Sequence, residues 1–186
     1  MEIELSAEAK DRRLNRLVAV TVVLLSVFMA LCNIKDGNIV QAMQQAQSNA
    51  VDRWGEYQAT RTKAHIVHTA QVELAATGRR GDPALVAAQA EFVRQSVHYA
   101  AESPILATQA KGFGRQYDAL NVHDDQFDAS EALISTAVSL SAVAALTEAF
   151  VPLAFAWGFG AMGIAMGVCG FTALPFDPTA LSHFLG

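Results

Sequence analysis

The sequence predicts an all-α integral membrane protein: three transmembrane helices, with a long extramembrane antiparallel helical hairpin between spans 1 and 2. The prediction depends on a C-terminal apolar stretch long enough for two crossings, an N-terminal apolar run long enough for one, and a helix-favouring segment between them. One crossing takes about 20 apolar residues, because the hydrocarbon core of a bilayer is about 30 Å thick. With 186 residues, the chain has room for at most one further domain.

The C-terminal stretch, residues 132–174, contains one formal charge, Glu148, and one proline, Pro152. Backbone polar groups inside lipid must be hydrogen-bonded internally, so we expect two transmembrane helices joined by a tight turn around residues 150–153. Residues 175–186 are expected to form a C-terminal tail.

The first predicted span is residues 17–34, which carry no charge and follow the polar residues 1–16. A basic segment before an apolar run also describes a secretory signal peptide. We interpret the run as a transmembrane helix, and Leu31 before Cys32 does not suit a lipoprotein cleavage site. Four basic residues precede the span: Lys10, Arg12, Arg13 and Arg16.

That basic cluster predicts the orientation. By the positive-inside rule, residues 1–16 are cytoplasmic and residues 35–131 are extracytoplasmic, in a multi-pass protein of the bacterial inner membrane. The net charge of −5 argues against a nucleic acid partner, since phosphate binding needs a basic face.

Residues 35–131 are predicted to be helical throughout. Residues 37–77 lack proline and are rich in good helix formers, and Asp82-Pro83 then supplies an N-cap and first position for a second helix. We expect that helix over residues 83–102, a break or kink at Ser103-Pro104, and further helix over residues 105–127. Small or apolar residues recur at 3–4 spacing in the first helix, which suits helix packing and a candidate coiled coil: Met43, Ala46, Ala50, Tyr57, Ala64, Val67 and Leu74.

Four glycines form the most regular pattern in the last span. Their 3-4-3 spacing places them on one helix face and includes a GxxxG motif, which permits close approach of a second helix. This glycine face, which we call the glycine seam, either packs spans 2 and 3 against each other within one chain or joins copies of the chain. The glycines are Gly160, Gly163, Gly167 and Gly170.

Polar candidates are few. Glu148 is the one ionisable group in the predicted spans and therefore a candidate for an ion path, although its place near a span end favours an interfacial role. Trp54 and Tyr57, one helical turn apart, are candidates for a partner contact; the alternative is packing within the hairpin.

We predict no metal, cofactor or catalytic site. His65 and His68 form an H-x-x-H pair without an accompanying carboxylate one turn away, and no histidine lies in a span to ligate haem. Cys32 and Cys169 lack the spacing of metal-binding or redox-active cysteines and are interpreted as small apolar residues. A disulfide between them is possible only if both spans end on the same side of the membrane, and the predicted topology places both ends on the same side.

A charged cluster precedes the second span. His123 is followed by several carboxylates, which could suit a hard cation, although an interfacial or helix N-terminal cap is the favoured interpretation. The acidic residues are Asp124, Asp125, Asp128 and Glu131.

The chain resembles the bacterial membrane proteins of the domain of unknown function 4337 family over nearly its whole length. The resemblance implies the three-span architecture and confers no activity. It is carried by residues 13–16 (RLNR), 36–38 (DGN), 52–59 (DRWGEYQA), 123–133 (HDDQFDASEAL) and 169–171 (CGF).

We therefore expect a non-enzymatic structural or accessory subunit in contact with membrane lipid, as a homo-oligomeric scaffold or within a larger membrane complex. One alternative is a small oligomeric channel or transporter that uses Glu148 and the acidic cluster. A second is a metal-dependent periplasmic enzyme that uses His65, His68 and His123.

Overall fold

The structure, a computed structural model, describes residues 2–77, 82–172 and 174, with side chains from Arg12 onward. These residues form three α-helices and no strand: α1 (Glu2–Thr77), α2 (Pro83–Thr147) and α3 (Phe150–Thr172). The all-α prediction is confirmed, and each helix is long and apolar enough to cross a membrane. The predicted turn at residues 78–81 and the tail at 175–186 lie outside the described residues.

Helix α1 is continuous over 76 residues, so predicted span 1 and the first hairpin helix are one element. Its described part contains no proline, and an isolated glycine such as Gly37 costs only about 1 kcal/mol relative to alanine. The apolar run therefore continues into the polar helix without a boundary.

Helix α2 begins as its capping residues predict. Asp82 Oδ1 accepts a 2.9 Å hydrogen bond from the amide nitrogen of Ala84, and the Asp82 carbonyl accepts one from Val86 at 3.1 Å. Pro83 occupies the first helical position, where a missing N–H costs nothing.

Of the predicted break or kink at Ser103-Pro104, the break is wrong, because α2 continues through Pro104 to Thr147. Proline removes one backbone donor from a helix interior. Hydroxyls on either side bond the neighbouring carbonyls: Ser103 donates to the oxygen of Tyr99 at 2.8 Å, and Thr108 donates to that of Pro104 at 2.7 Å. Ser103 is itself buried, so tertiary packing holds the segment helical.

The turn between α2 and α3 lies at Glu148 and Ala149, before the predicted residues 150–153. The prediction placed the break at Pro152, yet that residue lies in the first turn of α3, where its missing N–H breaks no helical hydrogen bond. Glu148 ends α2 instead, with a positive φ of 52°.

The chain divides into two compact units, a bundle unit (Met1–Ala42 with Ala119–Gly186) and a hairpin unit (Met43–Asp118). In the bundle unit, apolar side chains from all three helices are buried together, while large apolar side chains such as Val23, Leu24 and Leu31 are exposed. An apolar outer face suits contact with lipid. The buried core residues are Leu14, Val18, Leu25, Ile134, Ala137, Ala144, Leu153 and Ala156.

In the hairpin unit, α1 and α2 pack against each other through small and larger side chains. Thr60 Oγ1 donates to Glu102 Oε2 at 3.4 Å, and Gln71 Nε2 donates to Ser96 Oγ at 3.2 Å, so the two helices run antiparallel. Every position of the predicted 3–4 stripe on α1 is buried or half-buried. The buried residues are Met43, Ala46, Thr60, Val67, Ser103, Leu106 and Ala110.

Candidate functional site

Carboxylates from α1 and α2 meet at one end of the bundle unit. Burial, followed by the negative charges of Asp124, Asp128 and Glu131, raises the pKa of Asp36 from 3.8 to about 6. Asp36 Oδ1 is buried and has no hydrogen-bond partner among the described residues. Burial also raises the pKa of Asp128, with further contributions from Asp124 and other neighbouring carboxylates.

Sequence analysis found the α2 members of this cluster and missed Asp36. A usable signal was present: Asp36 directly follows predicted span 1, and the acidic residues of α2 directly precede span 2, on the same predicted side. Such a cluster can hold a shared proton near neutral pH. No group of three His, Cys, Asp or Glu within the described part of the chain has the geometry to hold a metal ion.

A layer of buried polar side chains lies next to the carboxylates. Gln126 Nε2 donates to the carbonyl of Leu174 at 2.9 Å, and Ser130 Oγ donates to the carbonyl of Gly163 at 2.8 Å. Cys32 Sγ lies 4.0 Å from the same Ser130 hydroxyl. Cys32 and Cys169 are both free, so the disulfide considered above is not formed.

All four seam glycines are buried against α1 and α2 of the same chain. A Cβ at Gly163 would lie 2.7 Å from Ile134 Cγ1 and 3.1 Å from the Ser130 carbonyl oxygen. At Gly167 and Gly170 the obstacles are aromatic, Phe28 Cε1 at 2.7 Å and Phe127 Cζ at 2.8 Å. The structure thus brings the glycine face into contact with α1 and α2 of the same chain.

Glu148 lies at the other end of the bundle unit, 20 residues beyond Asp128, or about 30 Å along a helix. Its side chain is exposed and borders a cavity of about 460 Å³. The cavity is lined by Arg13, Leu14, Leu17, Glu148, Phe150 and Trp157. Sequence analysis treated Arg13 only as part of a basic cluster, since it lies 135 residues from Glu148 along the chain.

The aromatic side of this cavity is held in place by two contacts. Trp157 Nε1 donates to Thr21 Oγ1 at 2.9 Å, and the Trp157 and Phe150 rings meet edge to face with centroids 5.6 Å apart and planes at 86°. One contact ties α3 to α1, and the other lies within the first turns of α3. The indole ring therefore has a fixed orientation beside Glu148.

All but one of the remaining candidates lie in the hairpin unit. The rings of Trp54 and Tyr57 meet edge to face at 5.5 Å, with Trp54 exposed and Tyr57 half-buried, and Arg53 pairs with Glu56 in the same turn. His65 and His68 are exposed. His123, in the bundle unit, has its Nδ1 3.2 Å from Gln126 Oε1.

Residues 14–173 match a family model described as Domain of unknown function (DUF4337). No curated protein and no solved structure matches the chain significantly.

Proposed function

The chain belongs to the domain of unknown function 4337 family, and we propose that it is a non-enzymatic structural or accessory subunit of the bacterial inner membrane. In this proposal the bundle unit anchors the protein with its N-terminus in the cytoplasm. The hairpin unit, outside the cytoplasm, makes the contacts with other proteins or further copies. The exposed apolar side chains of the bundle unit and the basic residues before residue 17 support this arrangement.

The observation that carries the proposal is a row of exposed valines on the hairpin unit. Val86, Val93 and Val97 are spaced seven and four residues apart on α2, which places them on one helix face. They are 61%, 50% and 64% exposed, respectively. An exposed apolar row on a helix in water favours a protein contact. We call these three residues the valine row.

Aromatic and packing features of the hairpin unit agree with a contact role. Trp54, which is 37% exposed, is held edge to face against Tyr57. Rigid aromatic side chains of this kind are common anchors at protein interfaces. The 3–4 spacing of buried positions on α1 supports a coiled-coil hairpin, a stiff element suited to a scaffold.

The deciding experiment is to measure the mass of the particle extracted from its native membrane in mild detergent and to identify every co-purifying chain. A cluster of this chain alone would support a homo-oligomeric scaffold. A fixed ratio to other proteins would support an accessory subunit. A particle containing one copy and no other protein would overturn the proposal.

A matched pair of variants locates the contact. Val93→Lys places a charge in the valine row, and Ala87→Lys places the same charge at an exposed position of α2 outside the row. We expect Val93→Lys to shrink the particle and Ala87→Lys to leave it unchanged, because an unpaired charge in an apolar contact is strongly unfavourable. Equal effects of the two variants would remove the valine row from the proposal.

A further inference from the structure

The cavity beside the α2–α3 turn brings opposite charges and apolar walls together in the bundle unit. Arg13 contributes a guanidinium and Glu148 a carboxylate, and both side chains are exposed. Leu14 and Leu17 from α1 and Trp157 from α3 line the same cavity. Its volume of about 460 Å³ lies within the range of roughly 300–1,000 Å³ found for small-molecule pockets.

The backbone at Glu148 gives an independent sign that this side chain has a role. Glu148 is the one non-glycine residue with positive φ in the described part of the chain, at 52°. Helices ending in this conformation usually have glycine there, because a side chain is strained in it. Strain of this kind is concentrated at binding and catalytic positions. The positive φ therefore marks Glu148 as a candidate binding residue.

We propose that this cavity binds the headgroup of a phospholipid that carries both a phosphate and a primary ammonium, as in phosphatidylethanolamine. Arg13 donates hydrogen bonds to the phosphate, and Glu148 accepts them from the ammonium. Leu14, Leu17 and Trp157 contact the glycerol and the start of an acyl chain. The inference adds a ligand to the proposed function and depends on its membrane location, but not on the scaffold role.

The charge pattern selects this headgroup among the common ones. A choline headgroup has a phosphate but no N–H to donate to Glu148. A glycerol headgroup has a phosphate but no cation to neutralise the carboxylate. Among these headgroups, only one with a primary amine satisfies Arg13 and Glu148 at once, through charge-assisted hydrogen bonds at both ends.

The test is lipid binding to the delipidated full-length protein in detergent, measured by native mass spectrometry. The probes are phosphatidylethanolamine, phosphatidylcholine and phosphatidylglycerol with identical acyl chains. We expect ethanolamine lipid to bind about tenfold more tightly than either of the others, the affinity that one charge-assisted hydrogen bond contributes. Equal affinity for the three lipids would overturn the proposal.

Variants test the role of each charged side chain in lipid binding. Glu148→Gln should abolish the preference for ethanolamine lipid over choline lipid, and Arg13→Gln should weaken binding of all three. Arg16→Gln is the matched control, because it removes the same charge from the same basic cluster without lining the cavity. A loss with Arg16→Gln as large as that with Arg13→Gln would overturn the site. Glu148→Gly provides a second test of the carboxylate with a relaxed backbone.

Two further measurements distinguish a failure of the proposed lipid site from a failure of the proposed scaffold role. Soluble glycerophosphoethanolamine should not compete, since it lacks the acyl chain that the apolar wall contacts; full competition would overturn a lipid ligand in favour of a soluble one. Particle mass is measured on the same samples. Lost lipid selectivity with unchanged particle mass refutes this inference alone, whereas a single-chain particle that keeps its selectivity refutes only the scaffold role.

Discussion

The hydroxyl of Ser130 donates a 2.8 Å hydrogen bond to the carbonyl oxygen of Gly163, across the contact between α2 and α3. The two backbones approach closely there because glycine has no side chain: a Cβ at Gly167 would lie 2.9 Å from the same hydroxyl. Ser130 is fully buried. In the bundle unit, the glycine face and this hydrogen bond therefore depend on each other.

Replacing Gly163 with alanine should destabilise the bundle unit. The new Cβ would meet Ile134 at 2.7 Å and the Ser130 backbone at 3.1 Å, so the helices must separate. Overpacking of this kind typically costs about 1–3 kcal/mol. Thermal unfolding in detergent, followed by circular dichroism, measures the effect.

Gly158→Ala is the control for that substitution, because nothing lies within 4 Å of the position a Cβ would take. It should be neutral or stabilising by up to about 1 kcal/mol, since alanine favours helix. A similar loss of stability in both variants would contradict the close packing at Gly163 as the cause of the loss.

Asp36 should make stability fall as the pH rises. The pKa of this carboxyl is 3.8 ordinarily and about 6 in the folded protein. Between those values the folded state retains a proton that the unfolded state has lost. The stability from this proton is complete below pH 3.8 and is lost as the pH passes about 6. Above that pH, the charged carboxyl is buried among other carboxylates.

Asp36→Asn tests this sign. We expect the variant to be more stable than the parent at pH 7 and to lose the difference as the pH falls toward 4, in melting curves recorded at both values. Asp52→Asn is the control, since Asp52 is exposed on the same helix. A variant less stable than the parent at pH 7 would contradict the burial of a charged Asp36.

Glu148→Gly should stabilise the chain even though it removes a side chain. A left-handed backbone costs a residue with a Cβ roughly 1–2 kcal/mol, and glycine is free of that cost. Ala149→Gly, in the same turn but without positive φ, should instead destabilise, because it only increases the freedom of the unfolded chain. The unfolding midpoint of each variant in detergent measures the contrast.

Ala110→Leu should destabilise the hairpin unit. Ala110 is almost completely buried where α1 and α2 pack, and three more heavy atoms cannot be accommodated without moving the helices apart. The expected loss is about 1–3 kcal/mol. Ala101→Leu makes the same change at an exposed position of α2 and should be close to neutral. Proteolysis of the hairpin unit at increasing temperature would distinguish the two variants.

Sequence patterns predicted the three helices, because each contains an apolar run long enough to cross a membrane and such a run is visible in the sequence. The two prolines were harder to interpret. Pro104 is tolerated in α2 because Ser103 and its neighbours pack, and Pro152 is tolerated because it falls in a first turn. Whether a proline ends a helix therefore depends on its tertiary surroundings, as at Pro104, or on its position in the helix, as at Pro152.

The candidate sites, too, could be predicted only in part from the sequence. The 3-4-3 spacing of the glycines marks a helix face, but the partner of that face, Ile134 for Gly163, follows only from the packed bundle. Asp36 and Asp124 are 88 residues apart, and Arg13 and Glu148 are 135 apart. Each pair becomes a site only when the ends of the helices are brought together.

The chain has two tryptophans, Trp157 in the bundle unit and Trp54 in the hairpin unit, each held against a neighbouring aromatic ring. Each unit therefore carries its own intrinsic fluorophore. A Trp54→Phe chain reports the emission of the bundle unit alone, and a Trp157→Phe chain reports that of the hairpin unit. Two denaturation curves from unlabelled protein would then show whether the units melt together or one before the other.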